Sequence, residues 1–342
     1  MTASQDRRSS CLAYVVRARG DAATGGPERL SQAELPEVRA PSVTIEVEYS
    51  SLNYKDALAC RGEKGVAPRL PHVPGIDCAG TVLASDSGDF AAGGPVLITG
   101  YDLGAPDWGG YSEVVSVPSE WVVPMPEGLD PRTAMIYGTA GFTAAQCVMA
   151  VADKVSPESG PVAVTGATGG VGVFATAILA KIGYRVVAVS GKPEMADRLM
   201  ELGAAEVVGR EALSDETGRP LLKAEWAGAV DTVGGAPLSA LLRSTQHRGV
   251  VAACGLVAGA DLPITVFPFL LRGVTLAGID SAKCPRAPRL EVWRRLAGEW
   301  RVDLPESLVT TVTLDGVTDR AAEVLAGRAY GRTLVRPTSE LG

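Results

Sequence analysis

The run Gly166-Ala167-Thr168-Gly169-Gly170-Val171-Gly172 is the feature that most restricts how this chain can fold. The apolar run 161–165 before it predicts a buried strand, and the run 173–180 after it predicts an apolar helix. A glycine-rich turn in this position lets the backbone approach a pyrophosphate, and the helix N-terminus then directs its N–H groups at that charge. We therefore predict a dinucleotide-binding domain, with a plain tight turn in an α/β protein as the alternative.

Two sequence patterns follow one another along the 342 residues, a length sufficient for two domains. Before about residue 125, short apolar stretches between Gly, Pro and Asp clusters predict a small β-barrel. Asp130 and Pro131 predict a helix start, and the apolar segment 134–152 predicts helix that is broken near 138–141. From residue 162, strand and helix signals alternate, which predicts a doubly wound parallel sheet. The other predicted strands are 11–18, 43–49, 80–84, 95–99, 111–117, 121–123, 186–190, 207–208, 229–233, 249–254, 274–279, 307–313 and 333–336, and the other predicted helices are 194–202, 237–245 and 289–300.

Charge and cysteine content limit the class of protein. The 32 basic and 39 acidic residues give a net charge of −7, which argues against a nucleic-acid partner. The six cysteines form no Cys-x-x-Cys pair, which predicts buried free thiols and a cytoplasmic location. No uninterrupted apolar run reaches about 18 residues, so we expect no membrane span. The first ten residues are polar, and we predict that they form a disordered lead-in rather than a signal peptide.

The end of the second strand of the dinucleotide domain predicts which cofactor binds. In such folds an acidic residue there accepts hydrogen bonds from the ribose 2′-hydroxyl of NAD. Here the strand ends in Val189-Ser190-Gly191-Lys192, where a hydroxyl and a lysine suit a 2′-phosphate. Arg210, after the next short strand, offers a second positive charge. We predict NADPH as the cofactor; in the alternative, Lys192 is only a solvated surface charge.

Metal and hydrolase chemistry receive little support. The chain has two histidines, His72 and His247, and no HxH, HExxH or Cys/His cluster, so we expect no metal site built by the protein. It has no Gly-x-Ser-x-Gly motif either, so a serine-hydrolase triad would have to use one of those two histidines.

Nine motifs together resemble the zinc-free medium-chain dehydrogenase/reductases, in the acryloyl-CoA reductase and quinone oxidoreductase group. The resemblance runs from about residue 12 to residue 336. It implies a GroES-like β-barrel catalytic domain at 1–128, a Rossmann NADP-binding domain at 129–282, and a return to the catalytic domain at 283–342. It also implies a homodimer that pairs through residues 274–279. The motifs are Ser51–Leu58, Pro74–Val82, Gly138–Ala144, Val162–Gly172, Ala188–Gly191, Trp226–Gly234, Val251–Leu256, Gly278–Ser281 and Gly331–Val335.

The resemblance also implies a reaction. Where zinc-dependent relatives have a cysteine and a histidine ligand, this chain has Asn53 and Ile76. Without a Lewis acid an alkoxide is poorly stabilised, whereas reduction of a C=C bond activated by a thioester needs none. The implied activity is NADPH-dependent reduction of acryloyl-CoA to propanoyl-CoA. Rival interpretations are an NADPH:quinone oxidoreductase of the same fold and a non-catalytic NADPH-binding protein.

The site residues follow from the same resemblance. Asn53, Tyr54 and Asp56 are expected beside the nicotinamide, where the Asn53 amide stabilises an enolate and Tyr54 or water protonates the α-carbon. In the structural alternative, Asp56 caps a helix and Asn53 holds a turn. The remaining expected contacts are Gly166, Ala167, Thr168, Gly169, Gly170 and Val171 on the pyrophosphate, Ser190, Gly191, Lys192 and Arg210 on the 2′-phosphate, and Leu256, Leu270 and Ser281 on the nicotinamide side; Arg61, Lys64 and Arg69 either bind the phosphates of CoA or belong to a solvated loop.

Overall fold

The computed structural model describes residues 10–20, 25–215 and 217–338. Of the ten residues predicted as a lead-in, the first nine lie outside the described residues, and Ser10 belongs to the first strand. The chain divides into two compact units. Unit 1 comprises the described parts of Met1–Thr139, Ala282–Leu290 and Pro305–Gly342, and unit 2 comprises Ala140–Ser281 and Glu291–Leu304. The strands are β1 Ser10–Val16, β2 Gly25–Ser31, β3 Ser42–Ser51, β4 Asp77–Ser85, β5 Pro95–Thr99, β6 Val114–Pro118, β7 Val123–Pro124, β8 Val162–Thr165, β9 Val186–Val189, β10 Glu206–Val208, β11 Trp226–Asp231, β12 Thr245–Ala253, β13 Thr275–Gly278, β14 Val309–Thr313 and β15 Arg332–Arg336. The helices are α1 Tyr54–Cys60, α2 Pro131–Ala152, α3 Gly170–Lys181, α4 Ala196–Glu201, α5 Gly235–Ser244, α6 Phe267–Arg272, α7 Arg286–Ala297 and α8 Val317–Leu325.

Unit 1 is built on a sheet with the strand order β14-β15-β3-β4-β5-β7, in which β6 also pairs with β3. Strand β3 alternates as predicted: Val43, Ile45 and Val47 are buried in the core under β4, β5 and β6. The C-terminal strands return to this sheet, because β15 pairs antiparallel with β3 at Leu334 and Ser51.

Three elements of unit 1 differ from the prediction. The predicted strand 121–123 is a 3₁₀ turn at Ser119–Trp121 followed by the two-residue strand β7. Strand β2 was not predicted, because its alternating half-buried and exposed residues carry little hydrophobic pattern. Helix α8, which packs on α1, was not predicted either.

Unit 2 contains a six-stranded parallel sheet in the order β10-β9-β8-β11-β12-β13. The central strands β8, β9 and β11 are buried throughout, which explains their continuous apolar sequences. The predicted doubly wound parallel sheet is therefore confirmed. The glycine-rich turn that starts at Gly166, called the phosphate turn below, lies between β8 and α3.

Helix α2 begins as predicted and kinks at Gly138. The Asp130 carboxylate accepts a hydrogen bond from the Thr133 N–H at 2.8 Å, with Pro131 in the first helical position. Gly138 has φ +49°, and a Cβ there would stand 2.6 Å from Asp77 Oδ2, so only glycine fits. The helix is long and apolar enough to span a membrane, but 78% of its apolar window is buried, as in the core helix of a globular unit.

Candidate functional site

The glycine-rich turn in unit 2 has the form that a pyrophosphate requires. Gly166 has φ +57°, and a Cβ on Gly172 would lie 2.3 Å from the Gly166 carbonyl oxygen. Helix α3 follows with Gly169 as its N-cap and no side chain capping its first turn. The N–H groups at this helix end therefore remain available to an anion.

The four residues expected at the 2′-phosphate come together at the end of β9. A Cβ on Gly191 would lie 2.2 Å from Arg210 Nε, so the guanidinium lies directly against that glycine. The Ser190 hydroxyl accepts a hydrogen bond from the Lys192 N–H at 3.0 Å, and its own proton can be donated to a phosphate oxygen. A hydroxyl and two cationic side chains in one corner fit the phosphate of NADPH better than the bare ribose of NAD.

A second feature of unit 2 is a cleft of about 500 Å³ at the carboxyl ends of β12 and β13. Ligands of doubly wound sheets bind at such ends. Leu256 lines the cleft, and Ser281 directly follows its last lining residue, Asp280. Leu270 lies on α6, is 74% exposed and does not line this cleft, so its predicted contact with the nicotinamide stays a prediction.

In unit 1, Asp56 anchors the first turn of α1. One carboxylate oxygen accepts from the Asn53 N–H at 2.8 Å and completes a capping box, as the structural alternative expected. The other accepts from the N–H groups of Gly75 at 3.1 Å and Ile76 at 2.8 Å. Asp56 is fully buried and holds two loops together, and its predicted place beside the nicotinamide stays a prediction.

The Asn53 side chain belongs to a polar network with two aspartates and an arginine. Its Nδ2 donates toward Asp77 Oδ2 at 2.8 Å and Asp56 Oδ2 at 3.1 Å. Its Oδ1 accepts from Arg332 at 3.3 Å. Both hydrogens of this amide thus have carboxylate acceptors within the protein, and its predicted role in stabilising an enolate stays a prediction.

Arg332 is the buried cation of this network. Its guanidinium donates to the Ile136 carbonyl at 2.7 Å and to the Ser51 hydroxyl at 2.9 Å. Burial lowers the pKa of Arg332, whereas the neighbouring Asp77 and Asp56 raise it. Burial and the Asp77 charge raise the pKa of Asp56 to about 7. Arg332 and Asp77 both lie within the motifs, but no role was predicted for either, because their partners are distant in sequence.

Tyr54 is the most exposed member of the predicted catalytic triplet. It occupies the first position of α1, next to the capping residue Asn53, and the residue is 42% exposed. Its backbone is fixed by the capping box, and a proton donor must be able to reach a bound substrate in this way. Its catalytic role stays a prediction.

Cationic side chains follow α1. Arg61, Lys64 and Arg69 are exposed, and Arg69 lies 3.7 Å from Asp107. Arg19 holds this loop by donating to the Ala67 carbonyl at 3.0 Å and the Pro68 carbonyl at 2.8 Å. Among residues 10–20, 25–215 and 217–338, no group of three or more His, Cys, Asp or Glu side chains is arranged to hold a metal ion.

Comparison with known proteins identifies the class of protein that these two sites define. The family model described as an alcohol dehydrogenase GroES-like domain matches residues 39–127, and the one described as a zinc-binding dehydrogenase matches residues 170–297. The chain is 48% identical to the acrylyl-CoA reductase AcuI of Ruegeria pomeroyi over 307 residues, which cover 90% of this chain and 93% of that protein. The chain thus belongs to the medium-chain dehydrogenase/reductase superfamily, in the acryloyl-CoA reductase and quinone oxidoreductase group, as the motifs implied.

Solved structures agree with this family, and one of the two described here holds the predicted cofactor. The crystal structure of E. coli K-12 YhdH with bound NADPH matches with a TM-score of 0.88 and 44% identity, covering 96% of this chain and all of that chain. The structure of Bacillus subtilis YhfP, with NAD bound, matches with a TM-score of 0.90 and 43% identity, covering 96% of this chain and 99% of that one. This protein is an NADPH-dependent oxidoreductase, and the corner formed by Ser190, Lys192 and Arg210 fits the additional phosphate.

Proposed function

We propose that the protein reduces the C=C bond of acryloyl-CoA to give propanoyl-CoA. The observation that carries the proposal is the 48% identity with an acrylyl-CoA reductase, which extends over 90% of the chain. It is supported by the phosphate turn in unit 2 and the exposed Tyr54 in unit 1. A thioester carbonyl delocalises the charge that develops when the β-carbon accepts a hydride, so the substrate class suits a site built from polar side chains.

Separate groups of residues bind the cofactor and donate the proton. The turn from Gly166 to Val171 holds the pyrophosphate, and Ser190, Lys192 and Arg210 hold the 2′-phosphate. When bound, NADPH supplies the hydride. The Tyr54 hydroxyl donates a proton to the α-carbon of the substrate, which completes addition of one hydride and one proton across the double bond. Asn53 and Asp56 keep Tyr54 in place through the capping box.

The test of the reaction is a steady-state comparison of acryloyl-CoA and a small quinone with NADPH, with propanoyl-CoA identified by mass spectrometry. A higher kcat/KM for acryloyl-CoA is the expected result. A much higher kcat/KM for the quinone, with no propanoyl-CoA formed, would contradict the proposal.

The role of Tyr54 is tested by Tyr54→Phe, with Tyr330→Phe as the matched control because Tyr330 is 43% exposed in the same unit. General acid catalysis contributes roughly 10²–10⁴-fold, so we expect kcat of Tyr54→Phe to fall by at least tenfold with little change in NADPH affinity. Full turnover in Tyr54→Phe would assign the proton to water instead.

Quinone reduction is the second candidate function, since 27% identity relates the chain to a quinone oxidoreductase of Sus scrofa over 75% of its length. Arg61 and Lys64 distinguish the two substrates because CoA carries phosphates and a small quinone carries no charge. We expect Lys64→Glu to raise KM for acryloyl-CoA several-fold at low salt and to leave KM for the quinone unchanged.

We also propose that the protein is a homodimer. Strand β13 is the last strand of the unit 2 sheet, and α6 beside it exposes the large apolar side chains Phe267, Leu270 and Leu271. An edge strand next to exposed apolar surface is a template for pairing with a second copy. Leu271→Asp is expected to give monomers in light scattering, whereas Leu83→Asp, at a 46% exposed position in unit 1, keeps the dimer.

We propose a cytoplasmic location for the protein. All six cysteines are free thiols, which suits a reducing cytoplasm.

We also propose a role for each predicted domain. The N-terminal domain at 1–128 and the return at 283–342 carry the substrate chemistry, and the domain at 129–282 binds the cofactor. The net charge of −7 supports a small-molecule substrate rather than nucleic acid.

A further inference from the structure

Asp231 is a fully buried carboxylate to which neither the motifs nor the reaction assigns a role. It ends β11, between β8 and β12 in the sheet of unit 2. One carboxylate oxygen accepts the Thr165 hydroxyl at 2.7 Å, and the other accepts the Gly234 N–H at 2.8 Å. Its backbone oxygen accepts the Cys254 N–H at 2.9 Å. Asp231 therefore has bonds to the strands on both sides and to its own loop.

The next residue, Thr232, lies against the first glycine of the phosphate turn. Its N–H donates to Thr165 Oγ1 at 3.0 Å, and its hydroxyl donates to the Thr165 carbonyl at 2.9 Å. A Cβ on Gly166 would lie 2.3 Å from the Thr232 hydroxyl. Thr232 therefore packs against the first glycine of the turn, and Asp231 and Thr232 both bond to Thr165, the residue that precedes that glycine.

The same loop contacts the cleft at the carboxyl end of β12 on its other side. A Cβ on Gly255 would lie 1.9 Å from the Thr232 carbonyl oxygen, and the Ala258 N–H donates to the Val233 carbonyl at 2.8 Å. Gly255 lines that cleft. Residues 231–234 therefore lie between the phosphate turn and the cleft predicted to receive the nicotinamide, and they touch both directly.

We propose that the loop 231–234 is a positioning element that sets the spacing between the phosphate turn and the cleft, with Asp231 and Thr232 as its positioning residues. A buried carboxylate with two donors has one favourable geometry, so the spacing is rigid. Hydride transfer loses about 10²-fold when reacting groups are misplaced by about 1 Å. A loop that holds the two binding regions in register therefore affects the reaction without touching the substrate. The proposal concerns how NADPH is held and applies to either candidate substrate.

The experiment compares Thr232→Val, which removes the hydroxyl, with Thr232→Ser, which keeps it. Thr245→Val is the matched control: its buried hydroxyl donates to the Leu241 carbonyl at 2.7 Å, at the opposite end of β12. Three quantities are measured for each: NADPH affinity by fluorescence titration, affinity for 2′-AMP, which carries the 2′-phosphate but neither phosphate of the pyrophosphate nor the nicotinamide, and the melting temperature. Where a substrate is turned over, the deuterium isotope effect on hydride transfer is added.

For Thr232→Val we expect NADPH affinity to fall about tenfold and the isotope effect to change, while 2′-AMP binds as in the wild type. Thr232→Ser is expected to restore NADPH binding, and Thr245→Val to lower only the melting temperature. Asp231→Asn is expected to resemble Thr232→Val, but the threonine pair tests the proposal even if that variant fails to fold. The proposal is overturned if Thr232→Val behaves as Thr245→Val does, or if 2′-AMP binding falls as much as NADPH binding. Because the titrations need no turnover, they stand even if acryloyl-CoA is not the substrate.

Discussion

Replacing Arg332 with methionine tests the claim that a buried cation stabilises the network beneath α1. Arg332 is 2% exposed and donates to the Ile136 carbonyl, the Ser51 hydroxyl and Asn53 Oδ1. Methionine fills much of the volume but leaves these acceptors unpaired and leaves two buried carboxylates without their cation. Removal of one partner from a buried charge cluster costs roughly 3–5 kcal/mol, so Arg332→Met is expected to lose that much unfolding free energy.

Arg336→Met, four residues further along β15, is the matched control. Its guanidinium is half-buried and lies 5.7 Å from the centre of the Tyr49 ring, a contact worth about 1 kcal/mol at most. Urea unfolding followed by circular dichroism gives both values. Arg332→Lys keeps the charge but not the planar set of donors, so its loss is expected to be intermediate.

The cost of Arg332→Met also depends on pH, with a sign that follows from Asp56. The folded-state pKa of Asp56 lies above its unfolded value, so its contribution to stability is greatest in acid and declines as the carboxyl ionises. Removal of the neighbouring cation raises that pKa further. Arg332→Met is therefore expected to cost more at pH 8 than at pH 5. A loss below about 1 kcal/mol, equal to that of Arg336→Met at both pH values, would refute the reasoning.

Three further predictions follow from single contacts. Gly172→Ala places a methyl group 2.3 Å from the Gly166 carbonyl oxygen and is expected to weaken NADPH binding at least tenfold in a fluorescence titration, whereas Gly88→Ala, with open space around it, leaves binding unchanged. Arg210→Met removes a cation from the 2′-phosphate corner and is expected to raise KM for NADPH about tenfold while KM for NADH stays within a factor of two; equal changes for both cofactors would contradict that assignment. Because the pKa of Asp56 is raised from 3.8 to about 7, the stability of the wild type relative to Asp56→Asn is expected to fall by up to about 4 kcal/mol as pH rises through that window; a difference independent of pH would show that Asp56 stays ionised.

The parallel sheet could be predicted from sequence because its central strands β8 and β9 are short, almost wholly apolar runs, each followed within two residues by a glycine. Short edge elements could not, since β2 has no apolar alternation and α6 lies in a Pro- and Leu-rich stretch without a polar face. Helix α2 could be predicted only in part. Its break near Gly138 was predicted from the glycines, but its cause, the close approach of Asp77, is a contact across 61 positions of sequence.

Candidate cofactor residues could also be identified from sequence, because Ser190, Gly191 and Lys192 are consecutive and the phosphate turn is a local motif; their contacts with NADPH stay predictions. The residues that hold those motifs in place could not. Thr232 supports Gly166 through a contact 66 positions away, and Arg332 reaches Asn53 across 279 positions. Sequence spacing carries no information on such contacts, so a motif names the residues at a ligand more readily than the residues that orient them.

The hydrogen bonds of Asn53 alter how loss of activity at this loop is interpreted. Replacing Asn53 removes donors to Asp56 and Asp77 and an acceptor for Arg332, so the first turn of α1 loosens before any substrate contact changes. A lower kcat in Asn53→Ala is therefore as consistent with a displaced Tyr54 as with a missing enolate donor. A double variant separates the two explanations. If Asn53 acts only by placing the Tyr54 hydroxyl, Asn53→Ala lowers kcat little further in a protein that already carries Tyr54→Phe. Because both amide hydrogens are already committed within the protein, the structure favours the coupled outcome.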